Sequence, residues 1–371
     1  MIIQKNTFAL LIISASLFFS THALLEIPVK FDIKENSILF NTTYGTDNCR
    51  IEAKADFFYC NNEIDFIRTG LRKLQTCGAV RVGTTRKSDF EANFQMGNFD
   101  ARVVFSQYNT IENLNLTFFT QSLCFGKVTN DQEQLSLVKQ LHQEGLISQP
   151  RVYITFFNRY LQSFTLNDII GQINLGEPNP EFIKKGSNFV KMYVDPDQKY
   201  VYDCQFYSNG ESTYFGQKIS GYKQYSINFD QAISSIDLDT FEQMLAILNE
   251  RGYKITVSGI GIFKEYFINT IEGLEPIKIT LLTEDMSPYI LTINASVYTQ
   301  KIEEGVHKLM FKAIRDNRSY QIGNQILTSY YFAYDANTQN TFFAERAQDL
   351  NPYQVDQKAE NFSQYLRSKK I

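Results

Sequence analysis

The sequence predicts a mostly β fold with a few short helices. Aromatic residues make up 14% of the 371 positions, and short apolar runs rich in β-branched and aromatic residues recur along the chain. Helical periodicity is confined to two windows. A chain of this length can bury a large core, and we expect two domains or lobes.

Residues 1–23 are typical of a secretory signal peptide, with Lys5 as the basic start, an apolar stretch from Phe8 to Phe19, and a small-residue cleavage site at Thr21-His22-Ala23. The alternative is a membrane anchor. We favour the signal peptide because the apolar run is short for a bilayer span and cleavage signals follow it. The sequence therefore predicts a product that is secreted or resides in the lumen of the secretory pathway, without a membrane span.

Two further features fit that route. Potential N-glycosylation sites begin at five asparagines, of which we expect only some to carry glycan: Asn41, Asn115, Asn294, Asn317 and Asn361. Five cysteines follow the signal segment: Cys49, Cys60, Cys77, Cys124 and Cys204. In an oxidising compartment we expect one or two disulfides, with Cys60–Cys77 as the first candidate, Cys49–Cys124 as the second, and Cys204 as a buried thiol.

The bulk charge excludes some classes of partner. The net charge is −4, with 20% charged residues and no basic run. This argues against nucleic acid or an anionic membrane surface as the main partner.

The predicted elements are mostly strands. The clearest strand-like runs are Ala101–Phe105, Leu114–Phe119, Arg151–Phe157, Ile255–Phe263, Ile277–Leu282, Tyr289–Ile293 and Leu309–Ala313. The two helical windows are Gln132 to Glu144, stopped by Gly145, and Thr240 to Glu250, with Asp239 and Glu242 as the start cap and Gly252 just past the end.

The segment from Tyr320 to Asp335, followed by Asn340-Thr-Phe-Phe-Ala344, predicts two strands around a short break at Gly323 and Asn324. This segment resembles the last signature of pepsin-like aspartic proteases. Ile322, Gly323, Tyr331, Tyr334, Asp335, Phe343 and Ala344 fall on the matching places. Further matches are the helix-like Leu137 to Ile147, the following Val152-Tyr-Ile-Thr-Phe156, the turn at Gly171 to Gly176, the helix from Phe241 to Leu248, and Leu274-Glu-Pro-Ile277.

The resemblance implies a bilobal pepsin-like acid protease fold. It places a first β lobe at residues 24–150, a second at residues 151–348, and a polar tail at residues 349–371. A long cleft would separate the lobes.

That family cleaves peptides with two Asp-Thr/Ser-Gly loops, whose carboxylates share a proton and activate a water. Neither Asp-Thr-Gly nor Asp-Ser-Gly occurs in this sequence. We interpret the first loop as shortened to Arg50-Ile-Glu-Ala-Lys54 and the second as missing, because Gln231 to Ser235 continues directly into the second helix. The family's flap Tyr-Gly is matched with Met96-Gly97. The chain resembles a degenerate member, and we assign it no catalytic residue.

Asp56, Asp237 and Asp239 remain candidates for a replacement acid. The simpler interpretations are a solvated acid for Asp56 and a helix cap for Asp239. His142 and His307 lie far apart in sequence, which argues against a zinc or haem site, and we predict no metal and no cofactor. Apolar residues such as Ile233, Ala55 and Phe57 are expected to line the lobe junction in place of the hydroxyl groups.

Three functions stay open. The first is a secreted protein without peptidase activity, a monomer that binds an extended peptide or protein in its cleft. The second is an active aspartic-type endopeptidase with divergent acids. The third is a structural or storage protein whose cleft has collapsed.

Overall fold

The computed structural model describes residues 24–32, 37–44, 49–57, 63–65, 80–82, 89–108, 122–125, 135–157, 169–194, 205–220, 224–260, 264–314 and 320–347. Strands dominate this part of the chain, as the sequence predicts. The predicted strand Leu114–Phe119 and the polar tail lie outside the described residues.

The strands of residues 24–125 are β1 (Leu25–Asp32), β2 (Ser37–Tyr44), β3 (Cys49–Asp56), β4 (Glu63–Asp65), β5 (Val80–Val82), β6 (Asp89–Met96), β7 (Phe99–Tyr108) and β8 (Ser122–Cys124). Those of residues 151–237 are β9 (Arg151–Phe156), β10 (Gly171–Leu175), β11 (Val190–Lys191), β12 (Gln205–Tyr214), β13 (Gln217–Ser220), β14 (Gln224–Asn228) and β15 (Ser234–Asp237). The remaining strands are β16 (Ile255–Ser258), β17 (Glu265–Ile268), β18 (Ile277–Leu282), β19 (Pro288–Ile293), β20 (Thr299–Glu303), β21 (Val306–Leu309), β22 (Phe311–Ile314), β23 (Tyr320–Gly323), β24 (Tyr330–Asp335) and β25 (Thr341–Glu345).

Three α-helices occur in the described ranges: α1 (Leu137–Gln143), α2 (Leu238–Glu250) and α3 (Ala295–Tyr298). In α2 the cap differs from the prediction. Asp237 is the N-cap, and its Oδ1 accepts from the amide of Thr240 at 2.9 Å, whereas Asp239 lies exposed in the first turn. Asp237 can cap because its own backbone is still extended, as a cap residue requires. The predicted stops are confirmed, since Gly145 and Gly252 follow the two helices with left-handed φ values of 71° and 87°.

Several predicted strands are also confirmed, and Ile277–Leu282 has the predicted bounds. The run at Leu309–Ala313 is divided at Met310 into two strands, β21 and β22. The amide of Met310 donates to the carbonyl of Tyr298, at the end of α3. The strand at Ile255 ends at Ser258, earlier than predicted.

The strands form one thirteen-stranded sheet, in the order β11-β25-β24-β9-β10-β1-β2-β3-β8-β4-β7-β6-β5, one eight-stranded sheet, and one four-stranded sheet. The eight-stranded sheet runs β19-β18-β12-β14-β23-β15-β22 with β13 beside β12, and the four-stranded sheet runs β16-β17-β21-β20. Strands from both ends of the chain therefore share the largest sheet.

A four-strand arrangement occurs twice. In the first unit, β3 pairs in parallel with β8, β8 pairs antiparallel with β4, and β4 pairs in parallel with β7. In the second unit, the same three relations link β14, β23, β15 and β22. The β architecture is thus duplicated.

The register gives residue equivalents between the two units. Ser122 on β8 lies opposite both Lys54 and Glu63. Gln321 on β23 lies opposite both Ser226 and Ser235. In sequence, Lys54 precedes Glu63 by the same number of positions as Ser226 precedes Ser235.

Counting along the chain from Lys54 and Ser226 then matches Phe57 with Phe229, and Phe58 with Asp230. Phe58 lies outside the described residues. The connection that follows β14 is therefore not missing, because Ser226 and Ser235 are as far apart in sequence as their counterparts Lys54 and Glu63. Both connections begin at corresponding strand ends.

The described helices include none that is long and apolar enough to cross a membrane.

Candidate functional site at the strand-end junction

The two units meet where β3 and β14 end. We call this place the strand-end junction and define it by Lys54, Phe57, Phe229 and Asp230. The rings of Phe57 and Phe229 stack with centroids 4.5 Å apart and an interplanar angle of 22°. Each residue is only 1% exposed. The expectation that Phe57 lines a junction between two β units is met by this contact.

The stacked pair belongs to a longer row of rings. Phe57 also stacks on Phe125 at 5.6 Å, and Phe229 makes an edge contact with Phe332 of β24 at 5.4 Å. Aromatic pairs of this kind contribute about 0.5–1.5 kcal/mol each beyond their burial. The junction is therefore filled by packed rings.

An ion pair crosses the same junction. The ammonium Nζ of Lys54 lies 3.2 Å from Oδ1 of Asp230. The side chains are 19% and 39% exposed, so the pair sits at the rim of the aromatic packing and remains in contact with solvent. The negative charge of Asp230 faces a cation here.

The loop after β14 is held by backbone and amide groups. Asn324 donates from Nδ2 to the carbonyl of Phe229 and from its backbone amide to the carbonyl of Gln231, both at 2.8 Å. The amide of Asp230 donates to Oδ1 of Asn228 at 3.1 Å. These contacts fix the backbone that presents the Asp230 carboxylate.

Gly323 permits the close approach of β23 to this loop. A Cβ at Gly323 would lie 2.1 Å from the carbonyl oxygen of Ala232, and the Gly323 amide donates to Oγ of Ser234 at 3.0 Å. No side chain larger than hydrogen fits without displacing the loop. In the first unit, the residue opposite Asp56 on β8 is Cys124, which corresponds to Gly323.

The three acids considered from the sequence lie at the ends of β3 and β15 and in the first turn of α2. Asp56 is the last residue of β3, and its side chain lies outside the described part. Asp237 caps α2, and its second oxygen, Oδ2, is buried without a hydrogen-bond partner. Burial raises the pKa of the nearby Tyr320 hydroxyl well above its usual range, with Tyr225 and Asp237 adding to the effect, so that hydroxyl stays neutral.

None of the junction residues Lys54, Phe229 and Asp230 was predicted as a site residue from the sequence. The available signal was the match between Phe57-Phe58 and Phe229-Asp230, each at the end of a strand. This match could be recognised only once the strand register was known, because the two loops share no other residue pattern. Ala55 is buried as expected, whereas Ile233 is half-buried.

The turn at Met96-Gly97, which was matched with the family's flap, is held against β1. This turn packs on β1, where Asn98 Nδ2 donates to the carbonyl of Leu24 at 2.7 Å and Asn98 Oδ1 accepts from the amide of Glu26 at 2.9 Å. A Cβ at Gly97 would lie 1.6 Å from the Glu26 carbonyl oxygen. These contacts fix the turn on the first strand.

Other candidates are placed elsewhere. His142 lies on α1 with Nδ1 3.2 Å from the carbonyl of Ile147, and His307 is buried on β21. Among the described residues, no group of three His, Cys, Asp or Glu side chains is placed to hold a metal ion. The tyrosines Tyr320, Tyr330, Tyr331 and Tyr334 are all buried.

No protein-family model and no curated protein sequence matches this chain. Among solved structures, the crystal structure of aspartic proteinase from Irpex lacteus is similar, with a TM-score of 0.61 and 10% sequence identity. The match covers 89% of this chain and 99% of that one. At this identity the likeness concerns the fold, and the chain has the mostly β fold of the pepsin-like aspartic proteinases.

Proposed function

We propose that this protein is a secreted, pepsin-fold protein without peptidase activity, which binds an extended peptide or protein segment between two β lobes. The observation that carries the proposal is the Lys54–Asp230 ion pair beside the Phe57–Phe229 stack. Aspartic peptidases need two carboxylates that share a proton, since like charges in contact raise one pKa. Here Asp230 faces the ammonium of Lys54, and the residue that matches Asp230 in the first unit is Phe58.

The architecture supports the peptide-binding part of the proposal. A sheet edge can accept an extended peptide as an added strand, and pockets for alternate side chains then give selectivity. Loss of the acids removes hydrolysis without removing such an edge. The lobes at residues 24–150 and 151–348 and the monomeric state are part of this proposal.

Export is supported by two features. The first 23 residues have the pattern of a signal peptide. Cys124, which is fully buried, is disulfide-bonded. Disulfides persist in oxidising compartments and are rare in the cytosol.

The test is cleavage of a denatured protein substrate at acid pH, with and without a peptide that mimics the transition state. We expect no cleavage beyond that of a sample lacking the protein. Cleavage that the mimic blocks, and that Asp230→Asn or Asp56→Asn abolishes, would establish the alternative, an active aspartic-type endopeptidase.

A second function is favoured by the row of rings. Because Phe57 and Phe229 fill the junction, the protein could serve a structural or storage role with no ligand. Binding to an array of random peptides separates the two functions. Selective binding that is lost on unfolding supports the peptide-binding role, and its absence supports the structural one.

A further inference from the structure

We propose that Asn294 is an N-glycosylation site whose glycan covers the exposed edge strand β19. The inference rests on the secretory route of the proposed function. It selects one position among the five potential sites and gives that glycan a physical role.

The backbone at Asn294 presents its side chain in an unusual way. Asn294 occupies the N-cap position of α3, with φ −68° and ψ 157°, and its carbonyl accepts from the amide of Val297 at 2.8 Å. An asparagine at this position normally bonds its side chain to a free amide of the helix. Here the side chain makes no such bond, and the third residue of the site, Ser296, is exposed.

The strand that precedes Asn294 has an exposed edge and an exposed apolar side chain. β19 is the last strand of the eight-stranded sheet, so one of its edges has no strand partner among the described residues. Ile290 on this strand is 57% exposed. Apolar edge strands are templates for pairing with other chains.

Part of that edge is already blocked. The Tyr330 hydroxyl accepts from the amide of Thr292 at 2.8 Å. Ile290, Thr292 and Asn294 are two positions apart, so their side chains lie on one face of the strand. Asn294 lies about 13 Å from Ile290 at the usual rise per residue. A branched glycan on Asn294 reaches across this distance and shields Ile290.

The modification is a group transfer from a lipid-linked oligosaccharide pyrophosphate. A bond forms between the anomeric carbon of the first sugar and Nδ2 of Asn294. The bond from that carbon to the pyrophosphate oxygen breaks, the lipid pyrophosphate leaves with the bonding electron pair, and one amide proton passes to solvent.

The first experiment maps glycans on the full chain expressed in a eukaryotic secretory host. Peptide N-glycosidase converts each glycosylated asparagine to aspartate, which mass spectrometry detects. We expect conversion at Asn294 in the wild type and in Ser296→Thr, and none in Ser296→Ala. Asn41, exposed on β2, reports separately on the route.

The outcomes separate the two proposals. Conversion at Asn41 without conversion at Asn294 overturns this inference and leaves the secretory route in place. A chain retained in the cell with no converted asparagine overturns the route, and this inference with it.

The second experiment tests the role of the glycan. We expect Asn294→Gln to raise the aggregated fraction of secreted protein several-fold by light scattering, and Ile290→Thr in that background to reverse the rise. Asn41→Gln is the matched control, because β2 has strand partners on both sides and should not aggregate. Equal aggregation of the two glutamine variants would contradict the shielding role.

Discussion

The first and second four-strand units share one strand order and one register, yet they differ at the positions where they meet. The first unit carries Lys54 where the second has Ser226, and Phe58 where the second has Asp230. In a symmetric peptidase the positions of Phe58 and Asp230 would carry the same acid. Here the duplicated backbone brings the equivalent loops together, while the side chains form a cation–anion pair and a ring stack.

This comparison teaches that a backbone duplication fixes positions without fixing chemistry. Phe57 and Phe229 are equivalent residues that contact each other, as expected at a pseudo-twofold axis. The ion pair beside them joins residues that are not equivalent. The units therefore differ on both sides of the stack, at Lys54 and Ser226 before it and at Phe58 and Asp230 after it.

The largest expected effect is removal of a ring at the centre. Phe229→Ala should lower the free energy of unfolding by about 3–5 kcal/mol, because it leaves a cavity between Phe57 and Phe332. Chemical denaturation measures the loss. Phe57→Ala should cost a similar amount, and the double variant less than the sum, because both changes remove the same contact. Additive losses would show that the stack does not couple the units.

A smaller effect is expected at Gly323. Gly323→Ala should cost about 3 kcal/mol, since its Cβ would lie 2.1 Å from the Ala232 carbonyl oxygen. Thermal unfolding measures the change. Gly145→Ala is a control that separates backbone strain from close contact. Its added Cβ would have no neighbouring atom within 4 Å, so its cost comes from the left-handed φ of 71°, whereas Gly323 has a φ of −63°. A cost at Gly323 no larger than the control would mean that the loop moves freely.

Ile233 sharpens the comparison further. Ile233→Asp should destabilise the fold by about 1–2 kcal/mol, because the side chain is half-buried, and it should not restore cleavage at acid pH. Ile233→Asn copies Asn61, the corresponding residue of the first unit by sequence count, and should cost less. Gain of peptidase activity in Ile233→Asp would contradict our view of the junction.

The smallest effect concerns the ion pair. Lys54→Ser copies the second unit, and a double-mutant cycle with Asp230→Asn should give a coupling of about 0.5 kcal/mol, because both groups are partly exposed. The coupling should fall as salt is added. A coupling above about 2 kcal/mol that salt does not change would indicate a buried pair with a different role.

Much of the fold could be predicted from the sequence. The strands β9 and β18, the two longer helices and the C-terminal strands all follow from local apolar pattern and stop residues. The C-terminal segment also indicated the fold that the structural comparison shows.

The site could be predicted less well, because it depends on long-range register. Lys54 and Asp230 belong to different strands far apart in sequence, and no local pattern links them. The cap of α2 was misplaced by two residues because Asp237 and Asp239 are both suitable cap residues, and only the backbone shows where the helix begins. The contact of the Met96-Gly97 turn with β1 could not be predicted for the same reason, since it is a tertiary contact.

The pairing of β9 with β24 has a consequence for how the chain is made. Arg151 and Asp335 bond across these strands although they are 184 positions apart. At about 5–20 residues per second of ribosomal synthesis, β24 is made many seconds after β9. A premature stop before Tyr330 would leave β9 without β24. Even a late nonsense mutation should therefore send the product to degradation instead of export.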